Sequence, residues 1–228
     1  MRRFQVTVRC LLFTVYCVLF VFLVACRGGD AAPEESDVIF QDEFIPGEVG
    51  DWLVEGDGIG QTAVVDQQLV ISINQPNTMQ YVTLQEPAVD NFSLAVDARQ
   101  ITGNPESSYG VLARIRGADQ FYRFEITSNG LYMVERHNAD GSWSQYLEDW
   151  AATSAINQGL NTVNRLKVEA RGANLSFSVN GNVVHEIVDT GVGSNTNVGL
   201  DAGTFGQAGL QVAFDNVIIR DLSGADTE

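Results

Sequence analysis

The sequence predicts an all-β fold in which two antiparallel sheets pack face to face. Three observations point to it. Short runs rich in Val, Ile, Phe and Tyr alternate apolar with polar residues, polar turns containing Gly and Asn separate them, and no long stretch shows helical periodicity. Two stacked sheets bury many half-apolar strands economically, so we expect a sandwich of about twelve to fourteen strands.

The composition is that of a globular, acidic protein. The chain has 228 residues, of which 45% are hydrophobic, and a formal net charge of −16. Arg2, Arg3 and Arg9 lie in the N-terminal segment, so without these three positive charges the remainder carries −19. This charge argues against nucleic acid as a partner, because no basic stripe is present to neutralise phosphates. It also argues against electrostatic docking to an anionic membrane.

The N-terminus has the pattern of an export signal. A basic start is followed by an apolar run over residues 10–25, which is shorter than the roughly 20 residues of a membrane-spanning helix. The run ends in Leu23-Val24-Ala25-Cys26, which resembles the lipobox of bacterial lipoproteins. The resemblance implies that Cys26 carries a lipid and anchors the protein to the outer face of the bacterial membrane. The alternative is an ordinary signal anchor with an incidental cysteine.

Cysteine usage and composition divide the chain. The other two cysteines lie within the apolar run, so the predicted exported domain has no disulfide and no cysteine-based site. We therefore predict a signal peptide over 1–25, a flexible acidic tether over 26–37, a β-sandwich over 38–222 and a tail over 223–228. We expect a monomer.

The strands are predicted from alternation and turn residues in chain order. Residues 109–150 read as four strands joined by three turns, in which Asn-Gly and Asp-Gly supply the positive φ angles of tight hairpins. Residues 150–156 lack strand character and predict one helical turn. The remaining strands are expected at 38–44, 52–54, 63–65, 68–73, 78–84, 92–99, 164–171, 174–179, 183–187, 198–202 and 212–220.

Four segments carry a resemblance to a known family. From residue 40 to residue 221 the chain looks like a concanavalin A-like (LamG-type) jelly roll. More narrowly, it resembles bacterial secreted modules of the 3-keto-disaccharide hydrolase, or DUF1080, type. This fold does not determine the function, because such jelly rolls include lectins, hydrolases and structural modules. The four segments are residues 40–44 with Trp52, residues 109–126, residues 164–168 with 179–181, and residues 198–205 with 213–217.

Catalytic motifs are not found in the sequence. Glucanases that share this fold class, the family 16 enzymes, place two glutamates and an aspartate as Glu-x-Asp-x-x-Glu on one strand, and this chain has no such motif. The nearest candidates, Glu125 and Glu135, fall on different strands beside Arg123 and Arg136, which favours buried ion pairs. No serine-hydrolase arrangement is present, and both histidines are predicted at the surface.

A structural calcium ion is the one cofactor that the sequence suggests. Asp42 and Glu43 lie on the first predicted strand and Asp215 on the last, and in jelly rolls these strands are usually neighbours. Calcium takes six to eight oxygen ligands and needs neither His nor Cys. The alternative is that Asp42 and Asp215 cap turns or pair with Arg220.

The four-strand segment is the predicted binding face. Alternation places Arg114 with Arg116, and Arg123 with Glu125, on a face expected to be an open polar patch. Aromatic side chains at its rim would hold a glycan by stacking on sugar rings, with core packing as the alternative for each. The predicted rim is Tyr132 and Trp143, with Tyr109, Tyr146 and Trp150. The predicted core positions are Val111, Ala113, Tyr122, Phe124 and Ile126.

The predicted function is therefore a lipid-anchored, non-catalytic β-sandwich module that binds carbohydrate or a surface polymer. One alternative is a glycoside hydrolase of the 3-keto-disaccharide type, which the narrower resemblance implies. The other is a structural or protein-interaction domain without a small ligand.

Overall fold

The computed structural model describes residues 38–54, 59–117, 119–190 and 194–224, and confirms the all-β prediction. The predicted signal peptide and tether, with Cys26, lie outside these residues. Within them, no helix has the length and apolar character needed to cross a membrane. The strands found there are β1 Val38–Asp42, β2 Trp52–Val54, β3 Gly60–Val65, β4 Gln68–Ile73, β5 Met79–Val89, β6 Phe92–Thr102, β7 Ser108–Arg116, β8 Gln120–Thr127, β9 Leu131–His137, β10 Trp143–Gln145, β11 Ala151–Ala152, β12 Asn164–Arg171, β13 Asn174–Val179, β14 Asn182–Val188, β15 Thr196–Gly203 and β16 Leu210–Asp221.

The strands form two antiparallel sheets of eight strands each. Sheet A has the order β14-β13-β12-β6-β16-β4-β3, and β1 pairs with β16. Sheet B has the order β10-β9-β8-β7-β15-β5-β2, and β11 pairs with β9. Some strands that are consecutive in the chain, such as β4 and β5 or β15 and β16, lie in different sheets. The sandwich therefore closes through pairings that are distant in sequence.

The predicted four-strand meander is present as β7 to β10. Its turns use the expected residues, and Gly130 and Gly141 both have positive φ. The predicted helical turn over 150–156 is wrong. Ala151 and Ala152 pair instead with Tyr132 and Leu131 of β9, which satisfies backbone groups at the edge of sheet B.

The core lies between the two sheets and follows the predicted alternation. The five expected inward positions of β7 and β8 are all buried in a single hydrophobic cluster, namely Val111, Ala113, Tyr122, Phe124 and Ile126. Their neighbours in sequence on β8 face away from sheet A. We call that opposite surface the outer face of sheet B. Tyr109 of β7, predicted at the rim, is buried in the same hydrophobic cluster, so that prediction is wrong.

A β-bulge in β7 changes the expected placement of its arginines. Ala113 pairs with Tyr122, but the next pair is Arg116 with Gln120, so two residues of β7 oppose one residue of β8. Arg114 takes a positive φ of 52° at this point. Its guanidinium turns away from the outer face and donates a hydrogen bond to the carbonyl of Gly172. The bulge thus reverses the alternation from which an outward Arg114 was predicted.

Candidate functional site

The outer face of sheet B carries a row of charge across three strands. Glu125 of β8, Gly110 of β7 and Asp201 of β15 lie in register. Because Gly110 has no side chain, the carboxylates on either side can approach each other over β7. Arg123, two residues before Glu125 on the same face of β8, is in register with Glu135 of β9.

These side chains form what we call the Arg123 cluster, comprising Arg123, Glu125, Glu135 and Asp201. Arg123 Nη2 lies 2.6 Å from Glu125 Oε1, and Arg123 Nε donates to Asp201 Oδ2 at 2.6 Å. Arg123 Nη1 donates to Glu135 Oε1 at 3.2 Å. The Glu125 side chain is 1% exposed and that of Asp201 is fully buried. One cation therefore faces three carboxylates, two of which water hardly reaches.

A proton on the Glu125–Asp201 pair reduces this excess of negative charge. Burial raises the pKa of Glu125 to about 8, although Arg123 opposes the shift. Burial also raises the pKa of Asp201 above its ordinary value, against the attraction of Arg123 and a hydrogen bond with Glu125. A protonated Glu125 can donate that hydrogen bond to Asp201. The state in which the pair shares one proton is therefore favoured over the state in which both carboxylates are ionised.

The stability of the protein should depend on this proton. Between the ordinary pKa of 4.5 and the folded value of about 8, folded Glu125 holds a proton that the unfolded chain releases. The free energy of unfolding should therefore fall as pH rises through this window, by at least about 1 kcal/mol. Urea unfolding measured across the window tests this. Glu125→Gln should flatten the slope, whereas Glu186→Gln, at an exposed position of sheet A, should not; an equal slope in both variants would contradict the assignment.

Aromatic residues lie at both ends of the cluster along the strands. At one end is the Trp143 platform, defined by Trp143, His137 and Phe121. The His137 ring lies 4.7 Å from Trp143 and 5.3 Å from Phe121 between centroids. The Arg123 guanidinium carbon is 5.9 Å from the Trp143 ring, which is the geometry of a cation–π contact. Trp143 itself is 43% exposed.

At the other end, Trp150 and Phe205 form an arch over the sheet. Their rings meet edge to face at 5.9 Å. Trp150 precedes the residue that pairs with β9, and Phe205 follows β15, so the contact spans the two strands between them, β8 and β7. A cleft of about 350 Å³ opens at this arch. Its lining combines apolar and polar side chains, namely Glu106, Thr127, Asn129, Leu131, Asp149, Trp150 and Phe205.

The structure places the predicted binding residues in three different environments. Arg123, Glu125 and Trp143 share the outer face, but Arg123 and Glu125 form the buried ion pair expected from sequence and not the exposed patch. Arg116 is exposed beyond the bulge, and Arg114 is buried toward sheet A. Tyr132 was predicted at the rim and is a core residue instead, with its hydroxyl donating to the carbonyl of Val184.

The carboxylates proposed as calcium ligands do not converge. Strands β1 and β16 are neighbours as expected, but Asp42 lies opposite the buried Val217 and points inward. Its oxygens accept hydrogen bonds from Phe44 N, Gly50 N and Trp52 Nε1 at 2.7–2.9 Å, so it organises a turn. Asp215 accepts from Gln68 and Asn216, and Glu43 from Gln41. The described residues contain no group of three or more acidic, His or Cys side chains arranged to hold a metal.

Three residues of the site were not singled out from the sequence. Asp201 interrupts the apolar strand Val198–Ala202, and a carboxylate in a buried strand is a signal that it has a partner. Gly110 and Phe205 offer no comparable signal. Their roles depend on the register of β7 with β15, whose paired residues lie far apart in the sequence.

Comparisons with known proteins agree with this architecture. A family model described as a 3-keto-alpha-glucoside-1,2-lyase-like domain matches residues 43–223. No curated protein sequence matches the chain.

Solved structures share the fold at low sequence identity. The carbohydrate-binding module CBM66 from Bacillus subtilis has 17% identity and a TM-score of 0.60, over 75% of this chain and 96% of that one. A Bacillus subtilis protein of unknown function with a galectin-like fold has 14% identity and a TM-score of 0.62, over 82% and 97%. The Bacillus licheniformis beta-glucanase has 9% identity and a TM-score of 0.61, over 82% and 100%. The jelly-roll fold and the family resemblance are thereby confirmed.

Proposed function

Because the chain belongs to the family of 3-keto-alpha-glucoside-1,2-lyase-like domains, we propose that it is a glycan-binding module whose site is the cleft beside the Trp150–Phe205 arch. We further propose that Cys26 anchors it by a lipid to the outer face of the bacterial membrane. Binding at this site is non-catalytic. The cleft is the single observation that carries the proposal.

The cleft has the chemistry that sugar recognition requires. Phe205 is 44% exposed, so its ring is available to stack on the apolar face of a sugar. Asn129 and Asp149 supply amide and carboxylate groups for sugar hydroxyls. The buried Thr127 Oγ1 donates to Asn129 Oδ1 and accepts from Leu131 N at 3.1 Å, which holds this side of the cleft in place. Named relatives of the same fold include a carbohydrate-binding module and glucanases, which supports glycan recognition by this chain.

Phe205→Ala should weaken glycan binding about tenfold without unfolding the protein, because one stacking ring is lost. The measurement is an array of neutral oligosaccharides followed by titration calorimetry on the best binder. Leu160→Ala is the matched control, since Leu160 is 41% exposed and lies outside the cleft. An array without signal from the folded wild-type protein would refute the proposal, as would equal affinity of the two variants.

A second candidate function is elimination from a 3-keto glucoside. In such a reaction a base removes the C2 proton, which the C3 ketone acidifies, and the C1 substituent leaves. The family description favours it, and the raised pKa of Glu125 suits a group that accepts a proton near neutral pH. The burial of Glu125 opposes it, since its side chain is 1% exposed and a substrate could not reach this carboxylate without a rearrangement.

The two functions are separated by incubating the protein with a 3-keto glucoside and following release of the C1 substituent. Turnover that disappears in Glu125→Gln would replace the binding proposal by the lyase. Binding without turnover would retain it.

A further inference from the structure

Trp143 is a second exposed aromatic that the cleft does not use. It lies on the edge strand β10 and pairs with His137 of β9. His137 Nδ1 lies 2.6 Å from the carbonyl oxygen of Asp119, and the side chain of Asn138 donates to Ser142 and Ser144. The indole is thus held at a fixed place while nearly half its surface faces water. The exposed indole offers a flat apolar surface on which a sugar ring can stack.

The Trp143 platform and the cleft lie on one edge of one face. Trp143 is in register with His137, and Ala151 with Tyr132, which places Trp150 level with Met133, four positions along β9 from His137. At about 3.4 Å per residue the two indoles are separated by roughly 14 Å along the strand direction. A monosaccharide or disaccharide is too short to contact both, and an extended chain is not.

The path between the two aromatic sites is lined by acids. Glu106 and Asp149 line the cleft, and Glu135 lies between the cleft and the platform. Arg123, a cation on this path, is enclosed by three carboxylates, which neutralise its charge, so it does not attract an anionic ligand. An anionic glycan bound along this path would be repelled by these acids, because its charges would lie within a Debye length of them.

We propose that the ligand is an extended, uncharged oligosaccharide that occupies the cleft and the Trp143 platform at once, along the β9–β10 edge. This inference rests on the proposed function and adds the length and charge of the ligand. Between the two aromatic sites, Gln145 and Glu135 are in register at the edge and supply hydrogen-bonding groups.

The length of the ligand is tested with two neutral series, malto-oligosaccharides and laminari-oligosaccharides, each from the disaccharide to the heptasaccharide. In the series that the wild-type protein binds, affinity should rise about tenfold or more from the shortest to the longest chain, as a second stacked ring engages. Trp143→Ala should abolish this gain and leave short-chain affinity unchanged. Trp143→Phe should restore most of the gain, and Leu160→Ala should not alter it.

The outcomes distinguish this inference from the proposal beneath it. If affinity still rises with chain length in Trp143→Ala, or does not rise in the wild-type protein, the second site at Trp143 is overturned. If short chains still bind, and Phe205→Ala weakens that binding, the cleft remains the binding site. Binding of neither series overturns both. The charge is tested with oligogalacturonides of the same lengths, which should bind at least about tenfold more weakly than the neutral series. Equal or tighter binding of the acidic chains overturns the uncharged ligand.

Discussion

Replacing Arg123 by alanine is expected to lower the free energy of unfolding by about 3–5 kcal/mol, the usual cost of removing one partner from a buried ion pair. The guanidinium contacts carboxylates from three strands, β8, β9 and β15. Without it, Glu125, Glu135 and Asp201 face one another with no cation among them. Urea unfolding of the wild-type and variant proteins at neutral pH measures the difference.

Two comparisons make the Arg123 result specific. Arg116→Ala removes an exposed arginine from the neighbouring strand and should change stability by less than about 0.5 kcal/mol. Adding Asp201→Asn to Arg123→Ala should recover part of the loss, because it removes one of the charges that Arg123 had paired. A loss of stability below about 1 kcal/mol would mean that water solvates the three carboxylates once Arg123 is removed. The cluster would then be open to a ligand, which would favour the lyase over the binding module.

The architecture was accessible from the sequence because it depends on local patterns. Alternation on β8 places Tyr122, Phe124 and Ile126 inward, and the turns at Gly130 and Gly141 have the residues that hairpins need. The charges beside these core positions on β8 also predicted an ion pair between Arg123 and a nearby glutamate. Each of these inferences needs only neighbouring residues and the period of a strand.

The predictions that were wrong concern residues where the strand alternation is interrupted, or residues whose strand partners lie far away in the sequence. The bulge at Arg114 shifts the alternation by one residue, and nothing in the sequence around it marks the position. The edge pairing of Ala151 replaced a helical turn because β9 offered free backbone groups. Asp201 joins Arg123 across 78 positions of the chain, a distance at which local pattern carries no information.

Gly110→Ala is expected to destabilise the protein by about 3 kcal/mol or more, beyond the usual cost of one added methyl group in a packed region. A Cβ added at Gly110 would overlap the carbonyl oxygen of Phe124 and lie 2.8 Å from Glu125 Cα. Both are backbone atoms of β8, which the paired β7 and β9 hold in place on either side. The strand cannot give way without breaking its ladder, so the methyl group must separate β7 from β8. Thermal and urea unfolding measure the loss.

The matched control is Gly60→Ala, at a glycine that also lies within a strand. A Cβ there would meet the end of the Gln80 side chain at 2.6 Å, and a side-chain end yields more easily than the backbone of a paired strand. We therefore expect a loss below about 1 kcal/mol for Gly60→Ala. If Gly110→Ala were equally mild, β7 and β8 would have to separate easily in the native state. The Arg123 cluster, which spans these strands between the cleft and the Trp143 platform, would then not be rigid.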